Sequence, residues 1–238
     1  MKTQISILLI ILFFSSCKNA GNLIISPTQK NGVLAVSEFF GSTVTYRWNF
    51  STSSGEGEST TFKLTIDTLN GFISKFQQRP LMLASNAAVL FYKNLSGEEK
   101  SNLTDVEVVL PFKTNGYDMY TFRLGLIDTM ASKVPLLDSL TNCLMRQDWA
   151  SVQSLCPWLE KAGYEMMDTE IKDFKSKLGA FIRPIPMGFD FFVKNDGSEY
   201  CRYYAFIEAE KNLIQLSIDF ESDLASQNII GFRFSHKF

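Results

Sequence analysis

Apolar and polar residues alternate along four segments of the N-terminal half, which is the pattern of half-buried β-strands. The first two segments, residues 44–50 and 61–66, flank a turn-like stretch and predict a β-hairpin. The next two, residues 106–110 and 120–124, flank Asn115-Gly116, a dipeptide that is typical of tight hairpin turns. The pattern therefore predicts four strands in this half of the chain.

Between these strands the apolar residues recur every three or four positions, which predicts helices over residues 33–40, 69–76 and 81–95. Ser96 is followed by Glu99 three residues later, the signature of a capping box, here expected for a short turn. Helices and strands together predict a small α+β unit.

The second half begins with helical spacing after Gly125, and Pro135 is expected to bend or restart the first helix there. Asp148 is placed to cap a further short helix. Four strands joined by short turns are then expected as an antiparallel meander, over residues 182–194, 199–209, 213–220 and 229–236.

Helices followed by a four-stranded meander, over residues 125–238, resemble the cystatin-like and nuclear-transport-factor-like rolls. The resemblance rests on the order of the elements, and it implies a curved sheet that wraps a long helix. The expected fold class is α+β with two small lobes. The N-terminal lobe covers residues 32–124 and the C-terminal lobe covers residues 125–238.

The first residues of the chain have the features of a secretory signal peptide. Met1-Lys2 supplies positive charge, Ile5–Phe14 is apolar, and Ser15-Ser16 provides small residues before Cys17. The apolar stretch is about half of the roughly 20 residues that a membrane-spanning helix needs. We therefore expect residues 1–16 to be a signal peptide.

Phe14-Ser15-Ser16-Cys17 resembles the bacterial lipobox, in a form similar to that of Bacteroidota. The resemblance implies a diacylglycerol on the sulfur of Cys17, further acylation by chains such as palmitate, and cleavage just before this residue. Residues 17–31 would then be a lipidated N-terminus and tether. The alternative is an ordinary secreted protein whose leader ends near a cysteine.

The expected location is the cell envelope, with the protein held at the outer membrane by its lipid. Surface lipoproteins of Bacteroidota tend to carry acidic residues after the cysteine, whereas this chain has Lys18-Asn19-Ala20-Gly21. The lipobox resemblance therefore implies a periplasm-facing protein.

The overall charge excludes one class of partner. Lys and Arg number 23 against 25 Asp and Glu, a net charge of −2, so the chain lacks the excess of cations that nucleic acid requires. Its hydrophobic content of 45% is typical of a packed globular protein. The membrane is expected to be a partner through the lipid alone.

Candidate catalytic and metal-binding chemistry is sparse. His236, the single histidine, stands two residues from the last, so a Ser-His-Asp site is not favoured. Cys143, Cys156 and Cys201 are too scattered to suggest zinc. The sequence therefore predicts no catalytic residue, no metal and no cofactor. A bridge between Cys143 and Cys156 is the one plausible disulfide, and free thiols are favoured over it.

One face of the predicted C-terminal sheet is mixed in character and supplies the candidate binding residues. Arg202 lies between Tyr200 and Tyr204 on alternate positions of one strand, with Asp190 on the strand before it. If this face is concave, Arg202 and the two rings are suited to hold a carboxylate, a sugar ring or a partner's loop. The alternative is ordinary cross-strand ion pairing on a wet surface.

These observations favour a non-catalytic envelope lipoprotein that binds a partner protein or a small ligand. A first alternative is an enzyme of the isomerase or hydratase kind in a roll-type pocket, with Asp190 as its base. A second alternative is a structural subunit of an envelope assembly, for which an exposed apolar patch is expected. A closed cavity around a carboxylate of raised pKa favours the enzyme, whereas an open face favours binding.

Overall fold

The computed structural model describes residues 25–53, 57–111, 116–193, 199–221 and 228–235. The elements of the N-terminal half follow in this order: α1 (Pro27–Phe40), β1 (Val44–Ser53), β2 (Gly57–Ile66), a 3-10 helix (Gly71–Phe76), α2 (Pro80–Lys93), α3 (Gly97–Asn102), β3 (Asp105–Pro111) and β4 (Tyr117–Arg123).

The four N-terminal strands form one sheet in the order β1-β2-β3-β4. β1 pairs with β2 and β3 pairs with β4 in antiparallel fashion, which confirms both predicted hairpins. β2 and β3 run parallel, because the 3-10 helix, α2 and α3 return the chain to the end of the sheet where β2 began. The alternation of apolar residues does not predict this parallel pair.

The C-terminal half consists of helices followed by a second four-stranded sheet: α4 (Leu124–Arg146), α5 (Trp149–Leu155), α6 (Lys161–Leu178), β5 (Phe181–Val193), β6 (Glu199–Ala209), β7 (Leu213–Glu221) and β8 (Ile229–Ser235). The sheet has the order β5-β6-β7-β8 and every neighbouring pair is antiparallel. The α+β class and the antiparallel meander after the helices are confirmed.

Three helices differ from their predicted form. α1 begins at Pro27 rather than at residue 33, because Ser26 and Gln29 form a capping box just ahead of the apolar period, so residues 27–31 are helical rather than part of a tether. The second predicted helix is a 3-10 helix, Gly71–Phe76. α4 continues through Pro135 as one helix, so the proline does not restart it.

α2 is the element that joins the two sheets. It packs on β3 and β4 of the first sheet and on β5, the edge strand of the second. Most of its residues are buried, as expected for a helix with neighbours on several sides. Phe91 stacks on Phe62 of β2 with ring centroids 4.3 Å apart, which holds the helix against the N-terminal sheet.

Polar contacts on the other side of α2 cover the free edge of β5. The hydroxyl of Ser85 accepts a hydrogen bond from the backbone N–H of Phe189 at 2.8 Å and lies 3.1 Å from the carbonyl of the same residue. Because β5 is the edge strand of its sheet, the serine satisfies backbone groups that would otherwise be open. This explains the burial of Ser85, one of two buried polar residues in the helix.

Buried apolar residues of both halves form one continuous cluster. The boundary expected between residues 124 and 125 falls where β4 ends and α4 begins. The alternation predicted for β6 and β7 places Cys201, Tyr203 and Ile207 on the core side, and all three are buried. Phe191, also expected on that side, is 40% exposed because it lies on the edge strand.

Candidate functional site

An open cleft of about 840 Å³ lies beside the N-terminal sheet, where the start of α1 and the helix α3 meet β1 and β2. We refer to it as the aromatic cleft. Its lining residues are Ser26, Thr28, Gln29, Trp48, Phe50, Thr60, Ser96, Glu98, Glu99, Ser101, Asn102 and Thr104.

Two rings of the edge strand β1 form one wall of the aromatic cleft. Trp48 and Phe50 lie two residues apart on the same side of the strand, with ring planes 13° from parallel and centroids 5.9 Å apart. The ring of Phe62 supports Trp48 from the core side through an edge-to-face contact, with ring centroids 4.9 Å apart. Phe50 is 65% exposed, so most of its ring is not used by the core. The strand therefore offers apolar ring surface to whatever enters the cleft.

The opposite wall is fixed by the carboxylate of Glu99. It accepts hydrogen bonds from the hydroxyl of Ser26, from the hydroxyl of Thr28 at 2.6 Å and from the backbone N–H of Ser96 at 2.6 Å. Burial alone raises the pKa of Glu99, but these hydrogen bonds outweigh burial and lower the pKa to about 2. The carboxylate is thus ionised at neutral pH, and it clamps the start of α1 to α3.

The charge of the aromatic cleft is negative. Glu98 and Glu99 both line it, and no lysine or arginine stands among the described residues that do. The other polar groups are hydroxyls and amides, including Asn102, whose side chain is exposed, and Gln29, which is buried at the cleft wall. Such a lining suits a neutral or cationic ligand better than an anionic one.

The residues proposed from the sequence lie elsewhere, on the C-terminal sheet. Tyr200, Arg202 and Tyr204 share one face of β6, and the register places Asp190 of β5 directly opposite Arg202. On the other side of β6, Asp219 of β7 also faces Arg202. We refer to Tyr200, Arg202, Tyr204 and Asp190 as the β6 face.

Arg202 is already bound within the β6 face. Its Nε lies 2.5 Å from Oδ1 of Asp219 and its Nη2 lies 2.9 Å from Oδ2, a two-pronged ion pair. The same Nη2 donates to the hydroxyl of Tyr200 at 3.2 Å, and the guanidinium stacks 5.0 Å from the ring centroid of Phe192. The hydrogen bond to Asp219 is the main cause of the raised pKa of Arg202. This is the cross-strand pairing that the sequence left open as the alternative to ligand binding.

Residues from the N-terminal half cover part of the β6 face. The guanidinium of Arg79 lies 4.8 Å from the ring centroid of Tyr204, which is only 3% exposed. The ring of Phe76 packs on Phe206, the next outward residue of β6, with centroids 4.6 Å apart. Because these contacts join residues more than 100 positions apart, alternation within the sheet gives no sign of them.

Asp190, the base considered for an enzyme, is partly buried at the edge of this face. Burial raises its pKa, and the positive charges of Arg79 and Arg202 oppose that rise only in part. It does not line the aromatic cleft. The raised pKa matches the enzyme alternative, but the two arginines beside Asp190 are not the apolar lining that this alternative requires.

The cysteines of the described residues are free thiols, with Cys156 and Cys201 buried and Cys143 partly buried. Burial raises the pKa of Cys156 to about 11 and is the main cause of a rise to about 12 at Cys201, so both are protonated and unreactive at neutral pH. Cys17 and His236 lie outside the described residues.

Two searches of the described residues give negative findings. No three His, Cys, Asp or Glu side chains come together there in a group that would hold a metal ion. Among the helices formed by those residues, each is too short or too polar to cross a bilayer.

Comparison of the chain with protein-family models, with curated proteins and with solved structures finds no match.

Proposed function

We propose that this protein is a lipid-anchored component of the bacterial envelope that binds a ligand or partner without catalysis, and that it does so through the aromatic cleft. The observation that carries the proposal is the exposure of the Phe50 ring to the cleft. Phe50 is 65% exposed at the wall of an 840 Å³ cleft, whereas Val44 and Trp48 of the same strand are partly buried against the core. An exposed ring beside fixed polar groups is the usual composition of a binding site.

The carboxylates support binding rather than acid–base chemistry. Glu99 has a pKa of about 2 and accepts three hydrogen bonds, so it is a poor proton donor at neutral pH and a poor base. Asp190 has a raised pKa but lies beside Arg79 and Arg202 and outside the aromatic cleft. The isomerase or hydratase alternative requires such a carboxylate in an enclosed apolar cavity.

The aromatic cleft supports this role better than the β6 face does. Arg202 is the residue expected to bind a ligand on the β6 face, but its guanidinium already forms a two-pronged ion pair with Asp219. Tyr204 lies beneath Arg79. A partner at the β6 face would have to displace contacts that the chain makes with itself.

The lipid anchor is proposed from the resemblance of Phe14-Ser15-Ser16-Cys17 to the lipobox. Ser26, which lines the aromatic cleft, follows nine residues after Cys17. Anchor and cleft are thus neighbours along the chain, and one experiment in cells tests both.

That experiment uses growing cells labelled with radioactive palmitate and the photoreactive analogue benzoylphenylalanine at one position at a time. With the analogue at Phe50 we expect palmitate label in the protein and a discrete cross-linked product after illumination. Tyr117 is the matched control, because it is also an aromatic residue of the N-terminal sheet, is 63% exposed and does not line the cleft. Placing the analogue at Tyr200 tests the β6 face.

Palmitate label should disappear in Cys17→Ser. An unlabelled wild-type protein would remove the anchor from the proposal. Equal cross-linking at Phe50 and Tyr117, or cross-linking at Tyr200 alone, would remove the aromatic cleft from it.

A further inference from the structure

We propose that the aromatic cleft takes a saccharide as its ligand. This inference rests on the proposed function, since it names the chemical class of what the cleft binds. Sugars present two kinds of surface, an apolar face of C–H groups and a rim of hydroxyls. The cleft presents a complement to each.

The apolar part of a sugar has its complement in Trp48 and Phe50. Their ring planes are nearly parallel, at 13°, and together they offer more ring surface than either would alone. Phe62 supports the indole of Trp48 from the core side, so the pair is held in place before a ligand arrives. A rigid aromatic surface costs little conformational entropy on binding.

The hydroxyl rim has its complement on the facing wall. Carboxylates accept charge-assisted hydrogen bonds from hydroxyls, and Glu98 is exposed on α3 at this wall. The side-chain amide of Asn102 both donates and accepts. Glu99 is committed to Ser26, Thr28 and Ser96, and its role is to hold the wall in position.

The charge of the cleft argues against anionic ligands. Phosphates, nucleotides and acidic peptides require cations, and the described lining residues include two glutamates and no lysine or arginine. A volume of about 840 Å³ lies within the range of about 300–1,000 Å³ found for small-ligand sites, and it is large enough for a short oligosaccharide.

The short distance along the chain between the proposed anchor and the cleft limits where the saccharide can come from. Ser26 follows Cys17 by nine positions, and even a fully extended chain of that length reaches only about 30 Å. A cleft anchored in this way stays close to the bilayer surface. The saccharide is therefore either the head group of a glycolipid in the same membrane or a free glycan that diffuses to it.

The test uses the mature lipidated protein and two probes made from the same cells. The first probe is the set of oligosaccharides released by mild acid from envelope glycolipids, titrated by calorimetry in detergent solution. The second is a set of phosphatidylethanolamine vesicles with or without the intact glycolipids. Phe50→Ala should weaken binding at least tenfold, whereas Tyr117→Ala, which removes an equally exposed ring outside the cleft, should leave it unchanged.

Binding of both probes, or of either one, with loss in Phe50→Ala supports the proposal, and the preferred probe identifies the source of the sugar. Circular dichroism and urea unfolding of Phe50→Ala check that the exposed position does not affect folding. If neither probe binds while the analogue at Phe50 still cross-links in cells, the saccharide is wrong and the cleft remains a binding site. If both experiments are negative, the proposed function fails as well.

Discussion

The aromatic cleft and the β6 face contain similar residues but differ in what contacts their aromatic rings. In the cleft, Trp48 and Phe50 face a negative polar wall, and Phe50 is 65% exposed. On the β6 face, the rings around Arg202 are stacked on the guanidinium, and Asp219 neutralises its charge. The aromatic cleft has exposed ring surface that a ligand can contact, whereas the rings of the β6 face are already in contact with other residues of the chain.

This difference shows what a pattern of aromatic and charged residues leaves open. A strand that alternates Tyr, Arg and Tyr is suited to binding, but the neighbouring strands decide whether it is available. Here Asp219 stands opposite Arg202 in the register, so the pair forms within the sheet. Three predictions test this comparison.

The largest effect is expected from Gly188→Ala, at the position of β5 that faces Tyr204. Gly188 has a φ of +108°, and a Cβ there would lie 2.1 Å from the carbonyl oxygen of Met82 in α2. Both the unfavourable backbone conformation and the clash must be relieved, so we expect a loss of about 4 kcal/mol in the free energy of unfolding. Urea unfolding followed by circular dichroism measures it.

Gly231→Ala is the matched control on the same sheet. Its nearest neighbours are atoms of Asp219 at 3.9 Å, which is an ordinary contact, and its φ lies outside the left-handed region. We expect a change of less than about 1 kcal/mol there. If Gly188→Ala were equally mild, α2 would not hold the edge of β5 as described, and the β6 face would be less firmly tied to the core than the comparison requires.

The second prediction concerns the ion pair that occupies the β6 face. The side chains of Arg202 and Asp219 are 12% and 23% exposed, so their interaction is only partly screened by solvent. A double-mutant cycle with Arg202→Met and Asp219→Asn should give a coupling energy of about 2 kcal/mol in urea unfolding.

Arg183 and Glu208 provide the control, because they are also an arginine and a carboxylate on neighbouring strands of this sheet. Their side chains are 68% and 35% exposed, and their coupling should stay below about 1 kcal/mol. A coupling near zero for Arg202 and Asp219 would mean that Arg202 is available to a partner after all. The β6 face would then regain its place as a candidate site.

Much of the architecture was predictable from the sequence, because local patterns determine it. The alternation in residues 44–50 and 61–66 predicts the first hairpin, which the structure confirms. Asp148 caps α5 by accepting from the backbone N–H of Ser151, and Gly179 ends α6, both as expected. These features depend on residues that are close together in sequence.

The aromatic cleft was not predictable in the same way. Ser26 and Glu99 meet across 73 positions, and the parallel pairing of β2 with β3 is what brings α3 beside β1. Trp48 and Phe50 fit the alternation of an ordinary half-buried strand. The local signs were the capping box of Ser96 and Glu99, which the structure confirms, and the aromatic residues of β1.

The smallest effect is expected from the clamp that forms the wall of the cleft, and it depends on pH. Glu99 has a pKa of about 2 in the folded protein, compared with an ordinary value of 4.5, because its hydrogen bonds outweigh the opposing effect of burial. A carboxylate with a lowered pKa stabilises the fold above its unfolded pKa, and this contribution is lost as the pH falls from about 4.5 towards about 2. Glu99→Gln should therefore cost about 1 kcal/mol at pH 7, once solvent screening is allowed for.

The cost of Glu99→Gln should shrink as the pH is lowered towards 2, because the wild-type carboxylate loses its charge over the same range. Glu98→Gln is the matched control, since Glu98 is the exposed neighbour on α3 and also lines the cleft. Urea unfolding at pH 7, 4 and 3 should show a pH-dependent difference for Glu99 alone. A difference that is constant with pH would mean that the ionised carboxylate does not hold α1 to α3, and the cleft would lose the fixed wall that distinguishes it from the β6 face.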